Sequence, residues 1–422
     1  MPAAGGLRVV VIGSGIGGLT AALSLHQIGA DVRVYEAVEE LRPLGVGINL
    51  LPHAVRELSA LGLLEPLCTM SVAPELLLYC TDRGQEIWRE PRGLAAGYPY
   101  PQLSTHRGWL QQVLHDAFVD RLGRTRLHLG HRLVRIEPGD AGRPVAVFAN
   151  AEIEADVVVA ADGIHSAVRD QFRPGEGPPL WNGSLMWRGI AEMPPVLGGR
   201  TMVWAGHPDQ KFVGYPIADG ADGTQVFNFI AELRRPDSPL ATKEDWNRRG
   251  ELADFLPQFE SWAFDWLDVP SIIGAAQETY LFPMVDRDPL PQWTFGRTTL
   301  LGDAAHPMYP IGSNGASQAI LDARVLAGCL LRHGDDVDVA LARYEEARRP
   351  ATAAVVQANR GLGPELPMKL VRERAPEGFS NIADVISPDE IARVTEEYRR
   401  TAGFALAALQ RGTSLLEDPY EL

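Results

Sequence analysis

Residues 8–36 read RVVVIGSGIGGLTAALSLHQIGADVRVYE, and the rest of the chain is read outward from them. Val9 to Ile12 is a short β-branched apolar run, the length of a buried parallel strand. Gly13, Gly15 and Gly18 follow at the G-x-G-x-x-G spacing. The first glycine permits a tight turn, the second lets a pyrophosphate approach the backbone, and the third lets a helix pack closely on the strand. Leu19 to Ile28 carries apolar residues at helical spacing, and Gly29 is placed to end that helix. A second strand, Val32 to Tyr35, finishes on Glu36, an acid about 20 residues beyond the glycines that can accept hydrogen bonds from both ribose hydroxyls of an adenosine. Strand, glycines, helix, strand and acid in this order predict a dinucleotide site. Glu36 favours an unphosphorylated ribose, FAD or NAD rather than NADP, and leaves those two open.

The 422 residues suffice for two or three domains and a large core. A net charge of −15 with no basic tract argues against nucleic acid as a partner. Cys68, Cys80 and Cys329 form no C-x-x-C pair and no metal-ligand spacing, so reduced structural thiols and no metal are expected. The chain enters its first strand almost at once, without a signal peptide, and no apolar run reaches the length of a bilayer span. A cytoplasmic protein without membrane contact, monomeric or homodimeric, is the expectation.

Further along, Leu44 to Leu50 is apolar and glycine-spaced, a loop or edge strand, and Pro52 opens a helix to Leu61. Residues 72–105 alternate as strands with a hairpin turn at Asp82-Arg83-Gly84, and Arg107 opens a helix ended by Gly123. Residues 126–137 and 144–160 read as further strands of the first sheet, the last run leading into Asp162-Gly163. Residues 181–283 change character: tryptophan-rich, alternating strands predict an antiparallel sheet with a helical insertion near 243–268. Seven of the nine tryptophans lie within 88–266 outside the helix at 107–123, which suits either a sheet core or a wall for a flat apolar ligand. A last buried strand at 297–302 precedes helices to the end, interrupted by the Pro- and Gly-rich stretch 361–378. The predicted fold is mixed α/β. A Rossmann-like cofactor domain (1–71, 106–180 and 284–360) is interrupted by an antiparallel-sheet substrate domain (72–105 and 181–283), and a helical segment (361–422) closes the chain.

A second constellation, GDAAHPMYPIGSNGASQAILDA at 302–323, lies where a strand gives way to a long helix. Asp303 is placed to accept from a sugar-alcohol chain, and the glycines of Gly312 to Gly315 let backbone approach a planar ligand. The helix from Ala316 and Ser317 points free N–H groups at it and favours negative charge there. FAD needs both constellations, one for diphosphate and ribose and one for ribityl and flavin. NAD would leave the second unused.

With GSGIGGL at 13–19, ADGIHSAVR at 161–169 and the 302–323 segment, the chain resembles the group A FAD-dependent aromatic monooxygenases of the para-hydroxybenzoate hydroxylase fold. Within that family, LRPLGVGIN, EPRG, STHRGWLQ, MWRG, PMVDRDPLP and MYPIGSNGASQAILD are most similar to phenazine-carboxylate monooxygenases, with salicylate hydroxylase-like enzymes next. The resemblance implies that Gly13, Ser14, Gly15, Ile16, Gly17 and Gly18 hold the FAD diphosphate and Glu36 the adenosine ribose. It places Arg107 and Gln111 within reach of the cofactor from their helix, and Asp162 at the FAD as an orienter of backbone. Asp303 would contact the ribityl, while Pro310, Gly315, Ala316 and Ser317 would face the flavin. Gly45-Val46-Gly47 suits a wall flexible enough for the flavin to swing, and each glycine alone suits a structural turn equally well. Many relatives carry Asn where this chain has Ser317.

By the family's logic NAD(P)H reduces the flavin, O2 adds to it, and a C4a-hydroperoxide transfers hydroxyl to an aromatic ring, with or without loss of a carboxyl group. The flavin carries the chemistry, so no side chain is obliged to act as acid or base. Arg188 could pair with a substrate carboxylate or form an intradomain salt bridge; Tyr215, Met284 and Tyr309 are further pocket candidates. His306 fits local hydrogen bonding better than proton transfer. The rival readings are a flavin-dependent reductase of an unsaturated substrate, which needs no O2, and a non-catalytic flavin-binding protein, which consumes neither O2 nor NAD(P)H.

Overall fold

The computed structural model describes residues 6–42, 45–238 and 248–420. Strand β1 (Arg8–Ile12) leads through the glycine turn to α1 (Ile16–Gln27) and β2 (Asp31–Tyr35). Next come β3 (Gly47–Leu50), α2 (Pro52–Ala60), α3 (Leu64–Thr69), β4 (Leu76–Cys80), β5 (Glu86–Pro91), β6 (Leu103–His106) and α4 (Arg107–Leu122). Short strands β7 (Leu127–His128), β8 (Leu133–Pro138), β9 (Pro144–Phe148), β10 (Glu152–Glu154) and β11 (Val157–Ala160) lead into α5 (Ala167–Phe172). The middle of the chain holds β12 (Leu180–Met193), β13 (Thr201–His207), β14 (Gln210–Asp219) and β15 (Gln225–Arg234). After them come α6 (Leu256–Phe259), β16 (Ala263–Phe264), β17 (Leu267–Asp268), α7 (Val269–Gly274) and β18 (Thr279–Asp286). Strands β19 (Thr294–Phe295) and β20 (Thr298–Leu300) precede α8 (Gly315–His333), α9 (Val337–Arg360), α10 (Leu366–Arg374), α11 (Pro388–Thr401) and α12 (Leu406–Arg411).

One sheet has the order β19-β20-β11-β1-β2-β7, parallel except for β19. Val9 to Val11 and Val157 to Val159 are buried on both faces, as a parallel strand covered by other layers must be. From β1 the chain builds outward through β2 and β7, then returns on the other side with β11 and β20. Ligands bind outside the carboxyl ends of strands at such a reversal. The expected strands over 126–137 and 144–160 divide between two sheets. Only β7 and β11 join the parallel one, whereas β8, β9 and β10 form a separate antiparallel sheet. Their burial explains the split: β11 is buried throughout, while β8 and β10 are partly exposed and need cover on one side only.

The second large sheet has the order β18-β12-β15-β14-β13-β4-β5. It departs from the expected all-antiparallel arrangement at one pairing, β13 with β4, which is parallel because the early β4–β5 hairpin is added to its edge. β6, expected with that hairpin, instead pairs with β3, and β18 runs continuously through 283 and 284. Alternation sorts the side chains of this sheet onto two faces. Leu185, Trp187, Phe212, Phe227 and Phe229 pack under Phe255, Phe259, Trp262 and Ile272. Met186, Arg188, Tyr215, Asn228, Phe282 and Met284 take the opposite face.

The helical insertion expected near 243–268 is not a helical unit over its described part: residues 248–268 hold α6, a short 3-10 turn and the small β16–β17 hairpin. Their work is to cover one face of the sheet with aromatic side chains, which short turns do as well as a helix. Residues 239–247, with Trp246, lie outside the described residues. The expected interruption at 361–378 contains α10, started by Pro367 within its first turn. Among the described residues no helix is long and apolar enough to cross a membrane.

Candidate functional site

Strands β1, β11 and β20 lie side by side and deliver Gly13, Asp162 and Asp303 to one edge of the parallel sheet. Gly13 has φ +97°, and a Cβ there would sit 2.5 Å from the Ala161 carbonyl oxygen. A Cβ at Gly18 would come within 2.0 Å of the Gly13 carbonyl oxygen. Both glycines serve the protein's own packing. So does Gly17, whose Cβ would crowd Leu301 at 2.9 Å and Ala319 at 3.3 Å. Gly15 is different: a Cβ there would meet nothing within 4 Å. It caps α1 without a side-chain hydrogen bond and no acid occupies the first turn, so the positive end of that helix opens onto the space.

Glu36 stands one residue beyond β2. Its Oε2 accepts from the Ser14 amide (2.8 Å) and hydroxyl (2.9 Å), and its Oε1 accepts from the Val38 amide (3.0 Å). A carboxylate has about four acceptor sites, so Oε1 keeps one for an outside donor. The expectation of two ribose bonds overlooked that Glu36 also anchors the glycine turn. Gln111, from α4, donates to the Ser14 carbonyl (3.0 Å), and the Arg107 amide donates to the Val46 carbonyl (3.0 Å).

Asp162 accepts from the Ala167 amide through Oδ2 (2.9 Å), while its Oδ1 is buried without a donor. Burial pushes this carboxyl upward against those backbone bonds. Asp303 and Arg107 are both reachable by solvent, yet burial pushes the Asp303 carboxyl up and the Arg107 guanidinium down. Each side chain is closely surrounded by protein yet reached by water. The two charges favour each other, and Arg188 opposes Arg107. Residues far apart in sequence thus share one recess.

His306 bonds through Nε2 to buried Asp322, which also accepts from the Gly302 amide (3.1 Å) and Arg348 Nε (2.7 Å). His306 and Arg348 hold the Asp322 carboxyl below the usual carboxylate range despite burial. The array fastens the turn after β20 to α8 and α9. At the start of α8, a Cβ on Gly315 would again meet nothing within 4 Å. Ser317 is fully buried and its Oγ accepts from the Leu51 amide (3.2 Å), tying α8 to the first turn of α2. Pro310 is exposed at the rim of this turn.

Arg188 donates to the Gly47 carbonyl (2.7 Å), hydrogen-bonds Tyr215, and lies 5.7 Å over the ring of Phe282. Among the described residues no carboxylate pairs with it, and its Nε is buried without an acceptor. Asn228 accepts from the Gly47 amide (2.7 Å), but its Nδ2 is likewise buried and unpaired. A Cβ on Gly47 would strike Asn228 at 2.5 Å, so this glycine is fixed by close packing as well as by any flexibility. Beside these polar groups Met186, Phe282, Met284, Tyr309 and Ile311 form a separate apolar cluster.

The FAD binding domain family model matches residues 6–245 and 276–359. The chain belongs to that family. It is 42% identical to the phenazine 1,6-dicarboxylic acid hydroxylase of Lysobacter antibioticus, covering 93% of this chain and 96% of that protein. It is 32% identical to the 6-hydroxynicotinate 3-monooxygenase of Pseudomonas fluorescens, covering 83% and 89%. The crystal structure of Klebsiella pneumoniae HpxO complexed with FAD and uric acid superposes with a TM-score of 0.70 at 27% identity, covering 94% and 93%. The chain is a flavoprotein monooxygenase with FAD as its cofactor.

For this member of the FAD binding domain family, the structure brings Arg107, Arg188 and Asp303 together and sets Tyr215 against Arg188. Among the described residues Trp187 and Trp262 lie buried in one core cluster and Trp204 in another, while Trp88, Trp181 and Trp266 pack half-buried against them. Sequence reasoning missed Tyr398 on α11. Its hydroxyl receives the Asn314 amide (2.8 Å) and lies 2.7 Å from Asn359 Oδ1, and a Cβ on Gly312 would meet it at 2.1 Å. Nothing local in 388–401 signals that contact, which exists only once the C-terminal helices fold under the 311–315 turn.

Proposed function

We propose that the enzyme hydroxylates a fused-ring aromatic acid of the phenazine-carboxylate type, with NAD(P)H and O2 as co-substrates. The observation that carries this reading is Arg188, a half-buried guanidinium with no carboxylate partner among the described residues and a buried Nε without an acceptor, beside a second unpaired donor on Asn228. A charge taken out of water without a counter-charge costs several kcal/mol. The recess is therefore suited to an anion brought by the ligand. The apolar cluster around Phe282 offers the flat surface an aromatic ring requires. The Lysobacter relative named for a phenazine dicarboxylic acid and the Pseudomonas relative named for hydroxynicotinate support an aromatic acid.

The residues present fit FAD. Gly15 and Gly315 open onto space at the starts of α1 and α8, and Asp162 offers a buried oxygen that still lacks a donor. In this reading the backbone from Gly13 to Gly18 receives the diphosphate, with Arg107 and Gln111 beside it, and Glu36 takes one ribose hydroxyl. Asp303 receives the ribityl chain, and Pro310, Gly315 and the amides of Ala316 and Ser317 face the flavin, with Val46 and Gly47 as its wall. Bound flavin supplies the redox chemistry and the oxygen transfer. The protein holds the ring, neutralises the acid and excludes water.

The test is substrate-stimulated NADH or NADPH oxidation and O2 uptake with phenazine-1-carboxylate, phenazine-1,6-dicarboxylate and salicylate, with mass spectrometry for one added oxygen. Arg188→Gln should raise KM for the acid by roughly 30-fold or more, since losing one partner of a desolvated charge pair costs about 2–5 kcal/mol. An unchanged KM, or oxidation without O2 uptake, would overturn the reading.

A further inference from the structure

β3 belongs to a two-stranded sheet, and Gly47, its first residue, faces His106 of β6 across it. On that side the Arg107 amide donates to the Val46 carbonyl (3.0 Å). The N–H and C=O of Gly47 are both taken by the seven-stranded sheet. The amide donates to Asn228 Oδ1 (2.7 Å), and the carbonyl accepts from Arg188 Nη2 (2.7 Å). An acceptor and a donor offered to one residue is what a neighbouring antiparallel strand supplies; here two side chains supply it. The fit is close, because Asn228 is fully buried and a Cβ on Gly47 would lie 2.5 Å from its Cγ. Asn228 on β15 stands opposite Ile190 of β12, and Arg188 stands opposite Ile230. The two are therefore diagonal neighbours on one sheet face, about 7–8 Å apart and within reach of each other's side chains. A carboxylate oxygen would accept from the Gly47 amide as well as an amide oxygen does. It would also set a negative charge against Arg188, which has no carboxylate partner among the described residues. The asparagine Nδ2 meets no acceptor, a cost that an aspartate would avoid. What asparagine offers here and aspartate does not is neutrality.

We infer that Asn228 is a specificity-determining residue: it holds the Gly47 edge as a carboxylate would, yet leaves the Arg188 charge unneutralised for the anion of the substrate. The inference rests on the reading of Arg188 as the anion receptor and adds the residue that keeps this receptor unpaired. An aspartate at 228 would be an internal counter-ion, which a substrate acid would have to displace. Gly47 belongs to the same arrangement, since a side chain there would push Asn228 off its amide. The discrimination is between ligand charges rather than ligand shapes.

The experiment measures binding to the FAD-loaded oxidised enzyme from the change in flavin absorbance. Phenazine-1-carboxylate and phenazine-1-carboxamide serve as an acid and a neutral probe of one shape. Wild type should favour the acid. Asn228→Asp should bind the acid about 10- to 100-fold more weakly, the effect of a unit charge roughly 6–10 Å away at an effective dielectric of about 20, and should lose the preference. Asn228→Leu, neutral and of similar volume, should keep it. Hydrogen exchange in the apoprotein gives a readout independent of turnover. The segment carrying the Gly47 amide should exchange several-fold faster in Asn228→Leu than in wild type, and no faster in Asn228→Asp. A preference for the acid that survives in Asn228→Asp or disappears in Asn228→Leu would overturn the inference, as would unchanged exchange in Asn228→Leu. So would an Asn228→Asp protein that does not retain FAD, because a carboxylate keeps the Gly47 bond. If wild type is indifferent to charge, or Arg188→Gln still favours the acid, the reading beneath the inference falls instead.

Discussion

Replacing Gly15 and replacing Gly18 should damage the protein in opposite ways. A Cβ at Gly15 meets nothing within 4 Å, and the residue sits at φ −67°, ψ −177°, which any amino acid adopts. It is the N-cap of α1, where Asp is among the preferred residues, so Gly15→Asp should leave the apoprotein as stable as wild type or better by a few tenths of a kcal/mol. The same carboxylate would stand where the FAD diphosphate is placed. Two like charges about 4 Å apart repel by about 4 kcal/mol at a near-surface effective dielectric, roughly a 1,000-fold loss of affinity before any overlap is counted. Gly18→Ala is the contrast: its Cβ would lie 2.0 Å from the Gly13 carbonyl oxygen, backbone that cannot turn aside. Forced overlap of this kind costs about 1–3 kcal/mol or more, and the apoprotein itself should melt earlier. Apoprotein melting followed by far-ultraviolet circular dichroism, with FAD titration followed by flavin fluorescence, separates the two. A Gly15→Asp protein that purifies yellow with full flavin would refute the assignment of this turn, and so would an apoprotein destabilised as much as Gly18→Ala.

His53 is buried with neither ring nitrogen hydrogen-bonded, and burial beside Arg56 and Arg348 lowers it to about 3. A depressed base keeps its stability above its unfolded value near 6.5 and loses it as pH falls toward the folded value, because only the unfolded chain takes up the proton. His53→Leu should therefore be close to neutral at pH 7 and should flatten the fall in urea stability between pH 6.5 and 4; an unchanged pH slope would refute this. Asp322 is likewise shifted downward: it is held low by His306 and Arg348 despite burial, and its contribution disappears only as pH drops below the ordinary carboxylate value. Asp322→Asn should cost about 3–5 kcal/mol at neutral pH by leaving the buried Arg348 guanidinium without its carboxylate, measured by urea unfolding of the apoprotein. Tyr398→Phe should leave the diphosphate end untouched but loosen the 311–315 turn, weakening FAD severalfold while ADP binding stays constant. Equal losses for both nucleotides would contradict that division.

Much of this was legible in the sequence because the information was local. The first βαβ unit, the helix from Arg107 and the turn after β20 are each written in consecutive residues whose period and glycines suffice. Tertiary choice defeated the reading elsewhere. Strands β8 to β10 look like any alternating strands, and only packing assigns them to their own sheet. Glu36 and Ser317 are read from the sequence as candidate site residues, but their protein partners, Ser14 and Leu51, depend on how neighbouring elements approach. The support that Tyr398 gives the 311–315 turn joins residues 84 or more positions apart, beyond any periodic signal.

Because β20 is inserted beside β11, the central sheet draws its strands from both ends of the chain. On a ribosome adding about 5–20 residues per second, β11 waits roughly 7–28 s before β20 is made. Throughout that interval the outer edge of β11 has no partner, a condition in which strands recruit foreign chains. Flavin loading must come late, after the last turns of translation, and a nascent chain starved of its final hundred residues is a better client for a chaperone than for a coenzyme.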